Sequence, residues 1–158
     1  MSKRIIGIDP GTGIMGFGVI EVNCGKTTLV DAGVIRTPPH QALDISLVEI
    51  YESLQEIISE TKPQEMAIEQ LFFAKNVTTA ISVAHARGVA MLAGKQAGLT
   101  IAEYTPTQIK QSVTGYGRAS KQQVQEMVRV SLRLKDIPKP DDCADALAAA
   151  IMHSQAVR

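Results

Sequence analysis

The chain begins with an apolar run that is followed at once by a carboxylate and a glycine-containing turn. The segment from Lys3 to Asp9 is continuously apolar at its centre, and Gly11-Thr12-Gly13 follows shortly after it. Such a stretch is typical of a strand that is buried on both faces in the middle of a sheet. A carboxylate at the tip of a buried strand contributes little to a core and is well placed to face a cleft. Asp9 is therefore a candidate functional residue, although Asp-Pro-Gly also suits an ordinary turn.

The remaining periodicity predicts a short meander and then alternating helices and strands. The predicted strands are Lys3 to Asp9, Met15 to Val22, Thr27 to Ile35, Glu65 to Gln70 and Leu99 to Glu103. The predicted helices are Ala42 to Thr61, Asn76 to Gln96, one that starts at Thr105-Pro106, Ser120 to Leu134 and Asp142 to Gln155. This order predicts a single α/β domain over residues 1–158, with a five-stranded mixed sheet flanked by helices on both faces.

Three further acids stand at places where they could join Asp9. Glu69 ends a second apolar run, and Asp142 and Asp145 open the last predicted helix. Asp142 and Asp145 are three residues apart and share a helix face, but Asp141 and Asp145 could do the same. Acids are also favoured at helix N-termini by capping and by the helix dipole. These effects explain one of Asp141, Asp142 and Asp145 more easily than they explain all three.

Convergence of these carboxylates would create an oxygen-rich pocket. Such a pocket suits Mg²⁺ better than Zn²⁺. Two ions roughly 4 Å apart could activate water and stabilise the leaving oxygen of a phosphodiester. The acids therefore indicate two-metal phosphodiester hydrolysis.

Two adjacent aromatic residues and a lysine follow Glu69. Of Phe72 and Phe73, one side chain can enter the core while the other points outward beside the carboxylates, where it could stack on bases or wedge between them. The alternative is that both rings are buried under the following helix. That helix carries small residues at Ala80, Ala84 and Gly88, which indicate either close packing on its own sheet or a contact between two subunits.

The distribution of charge matters more here than its sum. The net charge is zero, which by itself argues against a nucleic-acid binder. Between Thr107 and Lys135, however, there are six basic residues and one acid, giving a charge of +5. Between Asp44 and Glu69 there are seven acids and one base, giving a charge of −6. A neutral total thus hides a basic side that could follow a phosphate backbone.

Other classes are disfavoured by the absence of their signals. No apolar stretch is long enough to predict a membrane span, and no signal peptide is recognisable at the N-terminus. Cys24 and Cys143 are far apart and have no metal-ligand spacing, so free thiols in a reducing cytoplasm are expected. His40, His85 and His153 are equally scattered and are expected to be surface or packing residues.

Five ordered motifs resemble one known family over essentially the whole chain. They are Gly7-Ile8-Asp9-Pro10-Gly11 with Gly16-Phe17-Gly18-Val19; Ala67-Ile68-Glu69-Gln70 with Phe72, Ala74, Lys75 and Asn76; Ala86-Arg87-Gly88-Val89-Ala90; Gln108-Ile109-Lys110-Gln111-Ser112-Val113 with Gly115-Tyr116-Gly117, Ala119 and Lys121; and Asp142-Cys143-Ala144-Asp145-Ala146-Leu147. In this combination the chain resembles the RuvC-type Holliday junction resolvases.

The resemblance implies a ribonuclease H-like fold, a homodimer, and Mg²⁺-dependent resolution of four-way DNA junctions by paired symmetric nicks in homologous recombination and DNA repair. Two Mg²⁺ ions are expected in each active site, with Mn²⁺ as a substitute, and a branch-migration motor complex is the implied partner. The implied metal and catalytic carboxylates are Asp9, Glu69, Asp142 and Asp145. The expected DNA-binding residues are Phe72, Lys75, Lys110, Arg118 and Lys121.

Alternative interpretations remain open from the sequence. The additional acid Asp141 could replace Asp142 as a ligand, although the Asp-x-x-Asp-Ala-Leu spacing favours Asp142. Another ribonuclease H-like nuclease that processes RNA is a rival enzyme, and a junction-binding module without catalysis is a rival outside the enzymes. The glycine turn after Asp9 also resembles that of the actin, sugar-kinase and Hsp70 ATPases, but these need two such domains.

Overall fold

The computed structural model describes residues 1–70 and 77–157. Its strands are β1 (Ser2–Asp9), β2 (Ile14–Asn23), β3 (Lys26–Arg36), β4 (Glu65–Glu69) and β5 (Thr100–Tyr104). Its helices are α1 (Leu43–Thr61), α2 (Val77–Gln96), α3 (Pro106–Thr114), α4 (Lys121–Ser131) and α5 (Asp141–Ala156). The predicted elements are therefore confirmed, with boundaries that differ by a few residues at most.

The five strands form one mixed sheet in the order β3-β2-β1-β4-β5. Strands β1, β2 and β3 pair antiparallel as a meander, whereas β4 pairs parallel with β1 and β5 pairs parallel with β4. Strand β1 lies at the centre, and Ile5, Ile6 and Ile8 are fully buried, as the apolar run predicts. Because β1 and β4 are parallel neighbours, their carboxyl ends lie at the same edge of the sheet.

Each face of the sheet carries its own layer of helices. On one face, Ile5, Ile20 and Ala67 pack against apolar residues of α3, α4 and α5. On the other face, Ile6, Ile8, Met66 and their neighbours pack against α1 and α2. Successive strand residues point to opposite faces, so this division also determines which helices each polar residue of a strand meets.

Helix α5 lies unusually close to the sheet because glycines of β1 and β2 face it. A Cβ atom on Gly7 would stand 1.9 Å from the Ala146 carbonyl oxygen, and one on Gly16 would stand 2.0 Å from the Asp142 carbonyl oxygen. Both distances are far below van der Waals contact, so any side chain at either position would push the helix outward. Glycine within a strand is a known sign of such close backbone approach.

The short helices begin at well-defined caps. The Ser120 side chain accepts from the Gln123 backbone N–H, and the Gln123 side chain accepts from the Ser120 N–H, which together form a capping box. Thr105 and Gln108 make the same reciprocal pair at the start of α3. Helix α4 ends at Ser131, earlier than predicted, and Arg133 then adopts a left-handed conformation with φ of 54°.

None of the helices within residues 1–70 and 77–157 combines the length and the apolar character needed to cross a membrane.

Candidate active site

Asp9 and Glu69 end the two central parallel strands and face the same layer of helices. Gly7 contacts α5, and Asp9 follows it by two residues on the same face of β1. Ala67 packs in the core beneath α5, and Glu69 follows it by two residues on β4. Both carboxylates therefore point toward α5 at the carboxyl edge of the sheet.

The first turns of α5 bring two more carboxylates to this edge. Asp142 lies over β2, where its backbone carbonyl packs against Gly16. The Asp142 side chain lies close enough to Asp9 to help raise the pKa of the Asp9 carboxyl group. Asp145, one turn further along α5, is close enough to Glu69 and to Asp9 to influence both electrostatically. Three elements distant in sequence thus place four carboxylates together.

The proximity of these groups is visible in their acid–base properties. Burial, followed by the negative charges of Glu69, Asp145 and Asp142, raises the pKa of Asp9 to about 8. Burial and the charge of Asp145 likewise raise the pKa of Glu69, and burial raises the pKa of Asp145. Burial and mutual repulsion therefore disfavour full ionisation of this cluster, a condition that is common at functional sites.

Two lysines face this cluster from α3 and α4. Lys110 and Lys121 partly offset the upward pKa shifts of Glu69 and Asp145. The Nζ atom of Lys121 lies 3.8 Å from an Asp145 carboxylate oxygen and 3.4 Å from one of Asp141. Burial opposes the charged form of Lys121, but the charges of Asp145, Asp141 and Asp142 outweigh it and raise the pKa of the ammonium group.

A cavity of about 220 Å³ opens between β4, α3, α4 and α5. Its lining combines two of the carboxylates and both lysines with an apolar wall. The lining residues are Glu69, Pro106, Ile109, Lys110, Lys121, Val124, Asp145 and Ala148. The cavity thus offers anionic and cationic groups to the same small volume, as a site that handles a phosphate and its counter-cations would.

The structure separates Asp141 from Asp142. Asp142 is half-buried and acts on the pKa of Asp9, whereas Asp141 is exposed at the start of α5 and pairs with Lys121. Of the other predicted residues, Arg118 is exposed between α3 and α4 and is not among the residues that line the cavity. Phe72 and Lys75 lie outside the described residues, so their predicted contacts with DNA are not addressed by the structure.

Ligation of a metal ion by these carboxylates would require some side-chain movement. Within residues 1–70 and 77–157, no three His, Cys, Asp or Glu side chains are grouped closely enough to hold a metal ion as they stand. The donor set nevertheless fits a hard cation, because it consists of carboxylate oxygens whose mutual repulsion a cation would relieve.

A second polar network, which the sequence did not reveal, lies at the opposite end of β4. His153 of α5 is buried, with Nε2 2.6 Å from Glu65 Oε2 and Nδ1 2.6 Å from the Tyr104 hydroxyl. Lys3 adds an ion pair of 2.8 Å to Glu65. No spacing in the sequence links these four residues, since they come from three strands and a helix.

Two features near the site also escaped the sequence analysis. The contacts of Gly7 and Gly16 with α5 could have been inferred from glycine inside predicted strands. The side chain of Arg87 in α2 hydrogen-bonds the Glu69 backbone carbonyl and the Glu103 carboxylate. This bridge had no recognisable signal beyond the basic residue itself.

Comparisons with known proteins agree with this geometry. The family model "Crossover junction endodeoxyribonuclease RuvC" matches residues 5–153. A protein of that description from Desulfitobacterium hafniense is 54% identical over 153 residues, covering 97% of this chain and 93% of the relative. One from Desulforamulus reducens is 53% identical over 151 residues, covering 96% and 93%. The Thermus thermophilus RuvC structure in complex with a Holliday junction substrate has a TM-score of 0.93 at 34% identity, covering 99% of this chain and 95% of that chain.

Proposed function

Because the chain belongs to the RuvC family of crossover junction endodeoxyribonucleases, we propose that it resolves four-way DNA junctions by paired symmetric nicks. The mixed five-stranded sheet flanked by two helical layers is the ribonuclease H-like fold of this family, as the sequence predicted. Members of the family are metal-dependent nucleases. The biological context of such an activity is homologous recombination and DNA repair.

One observation carries the proposal for this chain. Four carboxylates from β1, β4 and α5 converge, and the pKa of Asp9 rises to about 8 because Asp9 is buried beside the other three. Gathering uncompensated negative charge costs stability, so a purely structural role is a poor explanation. We assign the metal-ligand and catalytic roles to Asp9, Glu69, Asp142 and Asp145, with Asp142 preferred over Asp141 because Asp142 is less exposed and its charge acts on Asp9.

Mg²⁺ is the cation that the donor set fits best, with Mn²⁺ as a substitute. Two such ions per active site would supply an activated water and stabilise the 3′-oxygen that leaves phosphorus. The chain's own contribution is to hold the oxygen ligands. Strand ends and the first turns of a helix are rigid supports, and Gly7 and Gly16 bring α5 near enough for its acids to reach β1.

The two lysines would act on the phosphate. Lys110 and Lys121 stand beside Glu69 and Asp145 at the cavity, where an ammonium group can hold a phosphate oxygen and offset its charge. We propose Arg118, together with Phe72 and Lys75, as DNA contacts outside the cavity. For Phe72 the proposed contact is stacking on bases or wedging between them at the crossover.

Charge is divided between the two helical layers in a way that suits DNA. The outward acids of α1, which include Glu52, Glu56 and Glu60, are exposed on the face opposite the cavity. The basic segment forms α3, α4 and the turns beside them, on the face where the cavity opens. DNA would therefore approach from the side of α3 and α4, where its phosphates meet cations.

A homodimer would supply two equivalent sites for two equivalent cuts. Helix α2 supports this proposal, because its outward side exposes Val77, Ile81 and Leu92 in line with Ala84 and Gly88. Ala80, by contrast, is buried on the chain's own core. A second copy of this chain is the proposed partner of the outward small residues, Ala84 and Gly88.

Two further proposals rest on family resemblance. A branch-migration motor complex is the proposed partner that would present junctions to the nuclease. The proposed location is the cytoplasm, where bacterial recombination takes place and where the free thiols of Cys24 and Cys143 would remain reduced.

A cleavage assay on purified protein tests the function. A labelled four-way junction and a linear duplex of matching sequence are incubated with Mg²⁺, and an RNA duplex serves as a third substrate. We expect paired symmetric nicks in the junction alone, and a dimer by light scattering. Cleavage of RNA in preference to the junction would favour the RNA-processing alternative, whereas junction binding without cleavage under any divalent cation would contradict the nuclease assignment.

A further inference from the structure

Arg87 of α2 reaches the strand end that carries Glu69 from the opposite side of the sheet. Its Nε donates to the Glu69 backbone carbonyl at 3.3 Å, and Nη2 donates to Oε1 of Glu103 on β5. The Arg87 side chain is 18% exposed and that of Glu103 is 38% exposed, so the bridge is shielded on the Arg87 side and open to solvent at Glu103. Its planar guanidinium can serve a backbone carbonyl and a carboxylate at once, which a lysine ammonium cannot do with the same geometry.

The orientation of the strands explains why Arg87 acts on the backbone of Glu69. Glu103 pairs in register with Ile68, whose side chain packs in the core beneath α1 and α2, so Glu103 points toward α2. Glu69 pairs with Tyr104, and both side chains point toward α5. Arg87 therefore holds the Glu69 peptide from behind, while the Glu69 carboxylate faces the acidic cluster in front.

The Glu69 carbonyl lies where the pairing of β4 with β5 ends. The hydrogen bond from the Gln70 N–H to the Tyr104 carbonyl, at 2.8 Å, continues the pairing with β5 just beyond the last residue of β4. The carbonyl of Glu69 turns instead to Arg87. A shift of the terminal peptide would move the Glu69 carboxylate relative to Asp145, and displacements of about 1 Å are enough to slow catalysis substantially.

We propose that Arg87 is a positioning residue that holds the Glu69 backbone so that its carboxylate can bind metal, and that Glu103 holds Arg87 in place. The proposal rests on the metal-dependent nuclease function assigned above. Arg87 contacts the backbone carbonyl of Glu69 and not its carboxylate, which lies near Asp145, Lys110 and Lys121. Its own charge is balanced by Glu103.

Arg87→Gln is the principal test, and Arg4→Gln is its matched control. Arg4 also bonds a glutamate, with Nε 3.1 Å from Glu21 Oε1, and a backbone carbonyl, with Nη1 2.8 Å from the Thr61 oxygen, but it lies at the opposite edge of the sheet. Single-turnover cleavage of a four-way junction is measured with enzyme in excess, beside junction affinity by gel shift. The Mn²⁺ concentration needed to raise the melting temperature is measured without DNA.

Loss of an interaction that orients a metal ligand usually lowers metal affinity or activity by about 10-fold to 100-fold. We expect Arg87→Gln to slow cleavage at saturating DNA by such a factor and to shift the Mn²⁺ midpoint upward similarly, with junction affinity within about twofold of wild type. Glu103→Gln should show a smaller loss of the same kind, and Arg4→Gln should keep the wild-type rate and midpoint. Equal behaviour of Arg87→Gln and Arg4→Gln in both measurements would overturn the proposal.

Two further readings keep the test decisive. If Arg87→Gln does not fold, Arg87→Lys retains the charge opposite Glu103 while losing the fork that reaches the Glu69 carbonyl. Arg87→Lys should then be slow at saturation, and a wild-type rate would refute the positioning role. If the wild-type protein cuts no junction, the nuclease proposal fails, and the Mn²⁺ midpoints of the folded variants still decide whether Arg87 supports a metal site.

Discussion

Strand β4 carries two glutamates on the same face, four residues apart, and they have opposite properties. Glu65 is half-buried at the start of the strand, where burial alone would raise its pKa, but hydrogen bonds from Lys3 and His153 hold the pKa below its ordinary value. Glu69 is half-buried at the end of the strand, where burial and the charge of Asp145 raise its pKa despite Lys110 and Lys121. The same residue type on the same strand is thus stabilised in its ionised form at one end and disfavoured in its ionised form at the other.

The difference indicates which end of the sheet evolved for stability and which for chemistry. At Glu65, every neighbour that contacts the carboxylate donates to it or balances it, so the network stabilises the packing of α5 on β4. At Glu69, three further carboxylates crowd together, an arrangement that costs stability and acquires a purpose once cations are bound. A carboxylate with a raised pKa in a cleft is thus a better functional candidate than an equally buried one with donors around it.

The most direct test of the different roles of Glu65 and Glu69 is to remove the charge of each with little change in side-chain shape. Glu69→Gln should slow junction cleavage by roughly 10³-fold, because it removes a charged ligand that acts on the transition state. Glu65→Gln should leave the single-turnover rate within about twofold of wild type, since no part of the cleavage site depends on its charge. Both variants should still bind the junction in gel shifts. A slow Glu65→Gln variant that is folded would contradict the division of roles.

The second comparison concerns pH and stability without metal. The pKa of Asp9 in the folded state, about 8, lies above its ordinary value of 3.8, so the folded protein holds a proton that the unfolded chain releases. The contribution of Asp9 to the free energy of unfolding therefore falls as pH rises from about 4 to about 8. For Glu65 the pKa is lowered, so its contribution is present above the ordinary value of 4.5 and is lost as pH falls through the folded pKa.

Asp9→Asn should accordingly raise the free energy of unfolding in EDTA by a few kcal/mol at pH 8.5 and by much less at pH 5, given about 1.4 kcal/mol per pKa unit. Urea unfolding at the two pH values measures this difference. Glu65→Gln serves as the control. Its effect on the free energy of unfolding at pH 5 should be equal to or smaller than its effect at pH 8.5. An Asp9→Asn variant that is equally destabilised at both pH values would show that Asp9 is ionised in the folded protein.

The lysines that face the two glutamates provide the third comparison. At least one of Lys110→Ala and Lys121→Ala should lower the rate at saturating junction by roughly 10²-fold, as expected for a group that stabilises charge in the transition state. Lys3→Ala should not change that rate, because Lys3 faces Glu65 at the other end of β4. Single-turnover cleavage with enzyme in excess distinguishes the cases. Full recovery of the rate by both Lys110→Ala and Lys121→Ala at saturation would limit the catalytic machinery to the carboxylates and their metals.

The smallest effects are expected in the stability of the Glu65 network. Glu65→Gln should cost about 1–3 kcal/mol, because His153 is buried and loses a charge-assisted partner. Lys3→Gln should cost less than about 1 kcal/mol, since the Lys3 side chain is 43% exposed and surface ion pairs contribute little. Denaturant midpoints at pH 7 measure both. Equal costs for the two variants would indicate that His153 does not depend on Glu65.

Most of the fold could be predicted because its signals are local. The apolar run around Ile6, the turn at Gly25 and the capping box at Ser120 each depend on residues that are neighbours in sequence. Boundaries were less predictable where a backbone conformation decided them, as at Arg133 after α4. The carboxylates were recognised as candidates because charged residues at the ends of apolar runs are poorly suited to a core.

Partnerships between distant elements could not be predicted in the same way. The bonds that join His153 to Glu65 and Arg87 to the Glu69 carbonyl link residues 88 and 18 positions apart, and no periodicity relates them. The proposed choice of Asp142 over Asp141, which the motif spacing already favoured, also has a tertiary component. It depends on the rotation of α5, which the close contacts at Gly7 and Gly16 determine.

The sequence by itself determined the order of strands and helices, the chemical type of the candidate site and the family, because each is written in local pattern and motif spacing. The tertiary structure alone decided which carboxylates lie beside other carboxylates and which are surrounded by hydrogen-bond donors. That outcome depends on burial and on donors brought from other elements, so two glutamates on one short strand can have pKa values shifted in opposite directions.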